Sequence, residues 1–342
     1  MSRFLDAARH RSVDVTPIWL MRQAGRSLPE YRKLRERWSL VDIVAQPELC
    51  AEVTLQPVRR LGVDAAVMFA DIMLPLRGMG VEFELVENVG PVIARPISSG
   101  ADVDRLIVPL GEEAAPQVIT AIRNVVAQSP VPVIGFSGAP FTLASYLIEG
   151  RPSRDFARVK EFMYSEPAVF DRLLAKLSAT MAGYLKAQVA AGVKAVQLFD
   201  SWVGALALED YEARVLQHTR TILEALRPLD VPRIHFGTDT AALLESIASA
   251  GPDVVSLDWR VPLDVGWARI GHDRGIQGNL DPAVLLGPPE LVKERASAVL
   301  RRAGGKPGHI FNLGHGVLPS TPLESLQLLI ETVHEWQVAR VA

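Results

Sequence analysis

The sequence predicts an α/β protein built as a single (β/α)8 TIM barrel, in which eight parallel strands alternate with helices. Short apolar runs recur along the chain, and each is followed by an amphipathic segment typical of a helix. About eight such runs can be counted, and no GxGxxG or GxxxxGK[ST] loop accompanies them, which argues against a Rossmann-type or P-loop sheet. With 342 residues, the chain is long enough for one barrel with additions, so residues 1–342 are expected to form one domain.

The predicted strands follow one another in a regular order. The first is the run PIWLM at residues 17–21. The others share a short apolar body that ends in a small or polar residue: 64–71 (DAAVMFAD), 131–138 (VPVIGFSG), 195–202 (AVQLFDSW), 233–239 (RIHFGTD), 253–259 (DVVSLDW), 275–280 (GIQGNL) and 308–316 (GHIFNLGHG). Short buried runs of this kind are typical of a parallel sheet covered by helices.

Three further segments complete the predicted architecture. Residues 81–97 (VEFELVENVGPVIARPI) are interpreted as a β-hairpin inserted after the second strand. Residues 171–192 have a helical pattern that ends at Gly192, as a helix C-cap would. Residues 321–337 begin with Thr-Pro and place a Glu at capping-box spacing, which predicts a C-terminal helix.

Composition excludes several function classes. The chain has 36 Lys and Arg against 39 Asp and Glu, so it lacks the basic excess expected of a protein that binds nucleic acid or a membrane surface. Its single cysteine, Cys50, excludes an intrachain disulfide and any zinc site with two cysteines. Residues 1–16 lack the apolar core of a signal peptide, and no window has the length of a membrane span. A cytoplasmic enzyme is therefore the expectation.

Polar residues cluster where the predicted strands end, which is where barrel enzymes carry their function. They occur at or just after the strand ends: Arg22, Arg26, Asp71, Ser137, Asp200, Ser201, Thr238, Asp239, Asp258, Asn279 and His315. Any single Asp among them can equally be a structural cap. The set as a whole is more informative, and it indicates a site at one mouth of the barrel.

Residues 17–38 concentrate positive charge in a chain whose formal net charge is −3. Arg22 and Arg26 flank the sequence QAG directly after an apolar run, and Gly25 allows a ligand to approach the backbone closely. Two guanidinium groups offer forked donors that suit carboxylate or phosphate. The alternative, a solvated basic helix face, describes residues 32–37 well but fits the two arginines poorly. We therefore predict that Arg22 and Arg26 bind an anion.

Two other stretches place polar groups beside glycines. Residues 135–150 (GFSGAPFTLASYLIEG) predict a tight strand-to-helix turn, after which Tyr146 has a polar tip that could reach a ligand. Core packing is the alternative for this residue. Residues 311–319 (FNLGHGVLP) place His315 between two glycines, where ligand contact and a structural role both stay open. The histidines show no metal-binding spacing, so no metal site is predicted.

These stretches resemble the uroporphyrinogen decarboxylase family. PIWLMRQAGRSLPEY and GFSGAPFTLASYLIEG look like the two signature motifs of the family, and TLQPVRRLGVDAAVMFADI, LFDSW and FNLGHGVLP match its pattern in the same order. The resemblance runs from about Thr16 to the C-terminal helix. It implies a homodimeric barrel without metal or organic cofactor that removes the four acetate carboxylates of uroporphyrinogen III in haem biosynthesis, giving coproporphyrinogen III and CO2.

The resemblance also implies roles for individual residues. Arg22 and Arg26 would bind substrate carboxylates, and Asp71 would accept hydrogen bonds from the pyrrole N–H groups and act with the arginines in catalysis. The implied substrate contacts, including those made by the backbone of the QAG segment, are Arg22, Gln23, Ala24, Gly25, Arg26, Asp71, Tyr146, Ser201 and His315. Ser27 and Ala70 depart from the family, which often has Tyr and Ser there, and both flank functional residues without replacing one.

The implied chemistry uses the substrate itself as the electron sink. Protonation of a pyrrole α-carbon creates a cation that accepts the electrons of the breaking bond, and an ionised Asp71 would stabilise that cation. The two arginines are expected to help keep Asp71 ionised, because nearby positive charge lowers the pKa of an acid.

Other function classes stay open at this point. Zinc/thiol or corrinoid-type methyltransferases of the same superfamily share the barrel, but Cys50, the only thiol, lies in a predicted helix interior. A non-catalytic tetrapyrrole-binding protein would keep the arginines without needing Asp71. A nucleic-acid binder built on residues 22–37 is weaker, because the rest of the chain offers no basic surface.

Overall fold

The computed structural model describes residues 2–25, 27–86 and 89–336 and has a curled parallel sheet at its centre. The strands of the sheet and of one separate hairpin are β1 (Ala66–Val67), β2 (Phe83–Val86), β3 (Gly90–Ile93), β4 (Val133–Gly138), β5 (Ala195–Asp200), β6 (Arg233–Gly237), β7 (Val254–Ser256), β8 (Gly275–Gln277) and β9 (His309–Ile310). The sheet order is β1-β4-β5-β6-β7-β8-β9, and every neighbouring pair is parallel. This is the strand sequence expected of a (β/α)8 barrel that lacks one strand.

Residues 17–20 occupy the first strand position of the barrel and close the ring between β9 and β1. Ile18 forms a parallel bridge with Phe311, whose N–H donates to the Pro17 carbonyl at 2.8 Å. On the other side, the N–H of Asp64 donates to the Ile18 carbonyl at 2.8 Å. The Ile18 N–H in turn donates to the Asp64 carboxylate at 2.8 Å. The predicted barrel is therefore confirmed, although the predicted first strand is only an isolated bridge, partly because Pro17 has no N–H to donate.

The predicted hairpin insertion is also confirmed. Strands β2 and β3 pair antiparallel, from Phe83 opposite Ile93 to Val86 opposite Gly90, and they form a sheet separate from the barrel. The hairpin follows β1, the second strand position of the barrel. It is attached to the following part of the chain, because the N–H of Ile93 donates to the Gly150 carbonyl at 2.7 Å.

Helices cover the outside of the sheet. The α-helices of the described residues are α1 (Arg3–Ala8), α2 (Pro29–Arg35), α3 (Leu40–Ala45), α4 (Pro47–Leu61), α5 (Gly100–Asp104), α6 (Pro116–Gln128), α7 (Pro140–Glu149), α8 (Ala157–Ser165), α9 (Pro167–Ala190), α10 (Leu208–Arg214), α11 (Leu216–Leu226), α12 (Leu244–Ser249), α13 (Leu263–Ile270), α14 (Pro289–Ala303) and α15 (Leu323–His334). None of them is long and apolar enough to cross a membrane.

The ends of two helices test sequence predictions about capping. Helix α9 ends next to Gly192, whose φ of 113° requires a residue without a side chain, so this prediction is confirmed. Helix α15 exists as predicted, but its predicted capping box is wrong. It begins after Pro322, no side chain caps it, and the Thr321 hydroxyl is buried without a hydrogen-bond partner among the described residues.

The barrel interior contains a buried polar layer below its aromatic upper part. The Trp19 indole N–H donates to Gln277 Oε1 at 2.9 Å, and the Gln277 amide donates to Gln197 Oε1 at 3.0 Å and to the Ser256 hydroxyl at 2.8 Å. All four side chains are buried. These groups bond one another, which lowers the cost of burying them, although Gln197 Nε2 has no hydrogen-bond partner among the described residues. It ties opposite sides of the barrel together beneath the mouth.

Candidate active site

The barrel brings most of the predicted site residues to one mouth, at the C-terminal ends of the strands. Arg22 follows the closing segment, Asp71 follows β1, Ser201 follows β5, and His315 follows β9. Tyr146 lies on α7, the helix that begins directly after β4. Arg26 lies outside the described residues, so its predicted role stays a prediction.

Arg22 is an exposed cation at this mouth with an unusual backbone. Its φ of 61° is in the left-handed region, which is costly for a residue with a side chain and is often found at functional sites. The side chain lies across Gly316, where an added Cβ would collide with Cδ and Cγ of Arg22. Among the described residues, Arg22 has no acidic ion-pair partner. Its guanidinium is therefore available to an external anion.

The segment after Arg22 is fixed by hydrogen bonds. The Gln23 side chain is buried, accepts the Leu20 N–H at 2.9 Å and donates to the Ala65 carbonyl at 2.9 Å. The Gln23 N–H donates to the Leu20 carbonyl at 2.9 Å, so it is already used within the turn. Ala24 and Gly25 are buried next to it. Gln23 thus acts as a brace that shapes this turn against the strand position of Ala65.

The hydroxyl of Ser27, one of the two departures from the family pattern, is buried and finds no hydrogen-bond partner within the described part of the chain. The structure gives no further reason for a serine at this position.

Asp71 is half-buried, and its environment opposes ionisation. One carboxylate oxygen accepts the Met73 N–H at 2.9 Å. Desolvation raises the pKa of Asp71 above its usual value, and the Met73 N–H and the charge of Arg22 only partly offset it. The predicted effect of Arg22 has the expected sign, but the net shift of the pKa is opposite to the prediction. Burial outweighs the single cation, because removing the carboxylate from water costs more than Arg22 returns.

Tyr146 is stacked against an aromatic residue that the sequence interpretation did not single out. Its ring lies 3.9 Å from the Trp202 ring, centre to centre, with an angle of 35° between the planes. Desolvation, followed by the charge of Asp71, raises the pKa of the Tyr146 hydroxyl, so it stays protonated and can donate a hydrogen bond. Trp202 lies in the LFDSW motif. Its position directly after a strand end is the sequence feature that could have identified it as a site residue.

A buried network fixes the loop that carries Ser201 and Trp202. The Thr142 hydroxyl donates to the Asp200 carboxylate at 2.7 Å and accepts the Trp202 N–H at 3.2 Å. Asp200 and Thr142 are fully buried. The Thr238 hydroxyl donates to the Ser201 carbonyl. Ser201 itself is half-buried at the mouth, on a loop held from both sides.

His315, which follows β9, is a neutral group across the mouth from the loop of Ser201 and Trp202. Desolvation, helped by the charge of Arg22, lowers its pKa to about 4. Its Nδ1 accepts the Gly316 N–H at 2.7 Å, which places the ring proton on Nε2. Its ring stands edge-on to Phe236 at 6.1 Å. His315 can therefore donate one hydrogen bond from Nε2 but carries no positive charge at neutral pH.

Three phenylalanines form an apolar floor between these polar groups. The Phe136 and Phe199 rings are 5.3 Å apart and nearly perpendicular, and the Phe199 and Phe236 rings are 5.9 Å apart. They come from β4, β5 and β6, so consecutive strands each contribute one ring. Phe136 and Phe236 are buried and Phe199 is half-buried, so the cluster gives the site an apolar side.

Several polar strand-end residues have structural roles. The Asp258 carboxylate accepts the Asp239 N–H at 2.7 Å and pairs with Arg260 at 2.7 Å. Arg260 also pairs with Asp239 at 2.6 Å. The Asn279 amide donates to the carbonyls of Asp258 and Val261. These groups cap loops and hold the rim, which is the alternative role that the sequence left open.

A cavity of about 350 Å³ adjoins the site beyond Trp202. It is lined by residues from the segments 154–160, 201–205 and 238–239, and we call it the side pocket. Ser201 and Trp202 belong both to the side pocket and to the site at the mouth, so the two spaces share a wall.

Cys50 is unsuited to bind a metal. It is buried inside α4, as predicted, its thiol donates to the Phe69 carbonyl at 3.1 Å, and burial raises its pKa to about 12. Within residues 2–25, 27–86 and 89–336, no group of three or more His, Cys, Asp or Glu side chains could hold a metal ion.

Comparisons with solved structures agree with the barrel. A methyltransferase from Methanosarcina mazei aligns with a TM-score of 0.82 at 19% identity and covers 97% of both chains. A B12-independent methionine synthase from Shewanella sp. W3-18-1 aligns with a TM-score of 0.57 at 11% identity, over 87% of this chain and 89% of that one. At these identities, the similarity concerns the fold alone.

Comparisons of sequence are more specific. The family model described as uroporphyrinogen decarboxylase (URO-D) matches residues 1–336. The uroporphyrinogen decarboxylase of Carboxydothermus hydrogenoformans is 50% identical over 334 residues, which are 97% of this chain and 95% of that protein. The protein of the same name from Thermus thermophilus is 52% identical over 331 residues, 97% of each chain. The chain belongs to the uroporphyrinogen decarboxylase family.

Proposed function

We propose that the chain is a uroporphyrinogen decarboxylase, a carboxy-lyase that converts uroporphyrinogen III into coproporphyrinogen III with release of four CO2. The substrate is a tetrapyrrole with an acetate and a propionate on each ring. The observation that carries the proposal is the mouth itself. It combines Arg22, a cation without an acidic partner among the described residues, with Asp71, a half-buried acid, above an apolar floor. These groups fit the carboxylates, the pyrrole N–H groups and the ring surface of such a substrate.

The reaction needs an electron sink, and the substrate supplies it. A proton adds to a pyrrole α-carbon and creates a cation conjugated with the acetate methylene carbon. The bond between that carbon and the carboxylate then breaks, CO2 leaves, and the electron pair flows into the ring. A proton adds to the methylene carbon to give a methyl group, and loss of the α-carbon proton restores the pyrrole.

Asp71 has the central role in this scheme. An ionised carboxylate that accepts hydrogen bonds from the pyrrole N–H groups stabilises the cationic intermediate most when the surroundings exclude water. Burial also raises the pKa of Asp71. The N–H donors of the substrate, and then its positive charge, act in the opposite direction and favour the carboxylate. The ionised form of Asp71 is therefore stabilised most strongly at the moment when the cationic intermediate forms.

The remaining site residues bind and orient carboxylate arms. Arg22 and Arg26 supply charged, forked donors, and one of them orients the reacting acetate. Tyr146 and His315 supply neutral donors, a phenol O–H and an imidazole Nε2–H, and Ser201 supplies a hydroxyl.

The backbone of Gln23, Ala24 and Gly25 adds contacts beside the arginines. Because the Gln23 N–H is already bonded to Leu20, Gln23 contributes its carbonyl or only its position in the turn.

Anaerobic incubation of the purified protein with uroporphyrinogen III tests the proposal. Products are oxidised and separated by carboxyl number. A series from eight carboxylates to four, obtained without added metal or cofactor, is the expected result. Substrate binding without loss of CO2 would reject the enzymatic function and favour a tetrapyrrole-binding protein.

We also propose, from the family resemblance, that the chain is one domain, works in the cytoplasm and forms a homodimer with facing clefts. Sedimentation equilibrium of the purified protein tests the dimer, because a monomer at micromolar concentration would contradict it.

A further inference from the structure

The side pocket contains two basic side chains that the site at the mouth does not use. Arg154 is exposed and Lys160 half-buried, and both line the cavity of about 350 Å³. Within the described ranges, neither forms an ion pair. By contrast, the charge of Asp239 in the same wall is compensated by Arg260 at 2.6 Å. The other acid, Asp155, accepts hydrogen bonds from the Ser153 hydroxyl and the Ala157 N–H.

The segment that carries these cations is held in place. The Glu149 carboxylate, almost fully buried at the end of α7, accepts the Val159 N–H at 2.9 Å. The Glu149 carbonyl accepts a hydrogen bond from Arg158 at 3.2 Å. Phe156, with a φ of 56°, packs its ring on Trp202 at 5.1 Å. The backbone between the two cations is therefore anchored to α7 and to Trp202, which keeps the stretch that carries them at the edge of the cavity.

The size and position of the side pocket suggest what it binds. About 350 Å³ is at the small end of the range of roughly 300–1,000 Å³ for ligand pockets, so it suits part of a large ligand. The pocket shares Ser201 and Trp202 with the mouth, and Trp202 stacks on Tyr146. The side pocket therefore borders the mouth on the side where Ser201 and Trp202 stand.

We propose that the side pocket is a subsite for a carboxylate arm of the tetrapyrrole, bound by Arg154 and Lys160; this inference rests on the proposed function. A substrate with eight carboxylates carries more negative charge than Arg22 and Arg26 can neutralise. The additional arm belongs to a ring other than the reacting one, because the lining of the side pocket does not include Asp71. Arg154 and Lys160 thus set the affinity and the orientation of the macrocycle while another ring reacts.

The experiment compares Arg154→Gln and Lys160→Gln with two matched controls, Arg301→Gln and Lys293→Gln. The controls remove the same charges from exposed positions on α14, an outer helix, where neither residue has an ion-pair partner among the described residues. Two quantities are measured anaerobically: KM and kcat for uroporphyrinogen III, and Kd for coproporphyrinogen III from quenching of tryptophan fluorescence. Each is measured at low and at high salt.

We expect each side-pocket variant to raise KM about fivefold with kcat changed less than about twofold, the size expected for one partly exposed charge-assisted hydrogen bond. The increase shrinks at high salt, and Arg154→Lys retains most of the wild-type affinity because it keeps the charge. An equal rise in KM and in Kd assigns the arm to a propionate, which the product keeps. A rise in KM alone assigns it to an acetate.

A KM and a Kd that stay within the range of the two controls would overturn the inference and leave the proposed function intact. If the wild-type protein binds coproporphyrinogen III but releases no CO2, the proposed function fails separately. The Kd of the variants for uroporphyrinogen III, measured by the same quenching, then decides whether the subsite exists, because this ligand carries both kinds of arm and the controls define its background.

Discussion

Replacing Asp71 by asparagine separates the charge of this residue from its shape. Asparagine keeps an oxygen that can accept the Met73 N–H, which Asp71 accepts at 2.9 Å. It also keeps the volume of a half-buried side chain. What the variant loses is a full negative charge at the position where we propose that the pyrrole nitrogens bind. Asp71→Asn should therefore bind substrate but stabilise the cationic intermediate poorly.

The expected size follows from the setting of the carboxylate. A single preorganised electrostatic group in a site that excludes water contributes about 10²–10³ in kcat. Asp71 fits this description, because desolvation is the largest influence on its pKa. We expect Asp71→Asn to lower kcat about 100-fold or more and to change KM less than about threefold, since Arg22 and the other carboxylate-binding groups remain.

The same variant should make the protein more stable. Because the pKa of Asp71 is raised in the folded state, the folded protein binds more protons than the unfolded one between the two pKa values. The free energy of unfolding therefore falls as pH rises through this interval, and ionised Asp71 destabilises the fold at neutral pH. Asp71→Asn removes this penalty and should therefore raise the Tm at pH 7.

The assay combines anaerobic steady-state kinetics with thermal unfolding at pH 7. Asp264→Asn is the matched control, because it makes the same change at an exposed position on α13. Near-normal kcat with a raised KM would refute the role in charge stabilisation and reduce Asp71 to a binding residue. A Tm that falls would contradict the argument that the site opposes its ionisation.

Three other predictions follow from the neutral donors and the buried histidines. Tyr146→Phe should raise KM severalfold with Tm little changed, because the stacked ring remains and only a protonated hydroxyl is lost; an unchanged KM in steady-state kinetics would show that the hydroxyl does not contact substrate. His315→Gln should bind coproporphyrinogen III better than His315→Ala, because Gln can replace the Nε2–H donor; equal Kd values would argue against that donor. The pKa of buried His309 is about 4 in the folded state, so between pH 6.5 and 4 the unfolded state binds more protons at this residue. Lowering the pH across this range should therefore reduce the free energy of unfolding by on the order of 3 kcal/mol through His309 alone. In urea unfolding measured at several pH values, His309→Gln should make the free energy of unfolding depend less on pH in this range.

The barrel could be predicted from sequence because its signals are local. Each strand is a short apolar run between polar ends, and the hairpin alternates in the manner of a solvent-facing strand pair. The closing segment was predicted as a full strand because apolar content does not reveal where hydrogen bonds stop. Only the three-dimensional structure shows that residues 17–20 pair through a single bridge and through Asp64.

The site could be predicted only in part, because its electrostatics depend on several distant segments. The position of Asp71 follows from the strand pattern and the family motif. The direction of its pKa does not, because it depends on how much protein surrounds the carboxylate relative to one nearby cation. Trp202 and the cations of the side pocket were missed as site residues for a related reason. The segment 151–163 has no strand-end position, and its place beside β5 is set by Glu149.

The distance between the two charges of the mouth has a consequence for its chemistry. Arg22 and Asp71 influence one another electrostatically, yet they form no ion pair within 4.0 Å. A direct pair would neutralise both groups and leave neither free for the substrate. The hydrogen bonds of Gln23 and the left-handed backbone of Arg22 fix the turn that carries the cation. In the proposed mechanism, an anionic arm pairs with Arg22 while the cationic ring pairs with Asp71, so the opposite charges within one reacting pyrrole match the opposite charges of these two side chains.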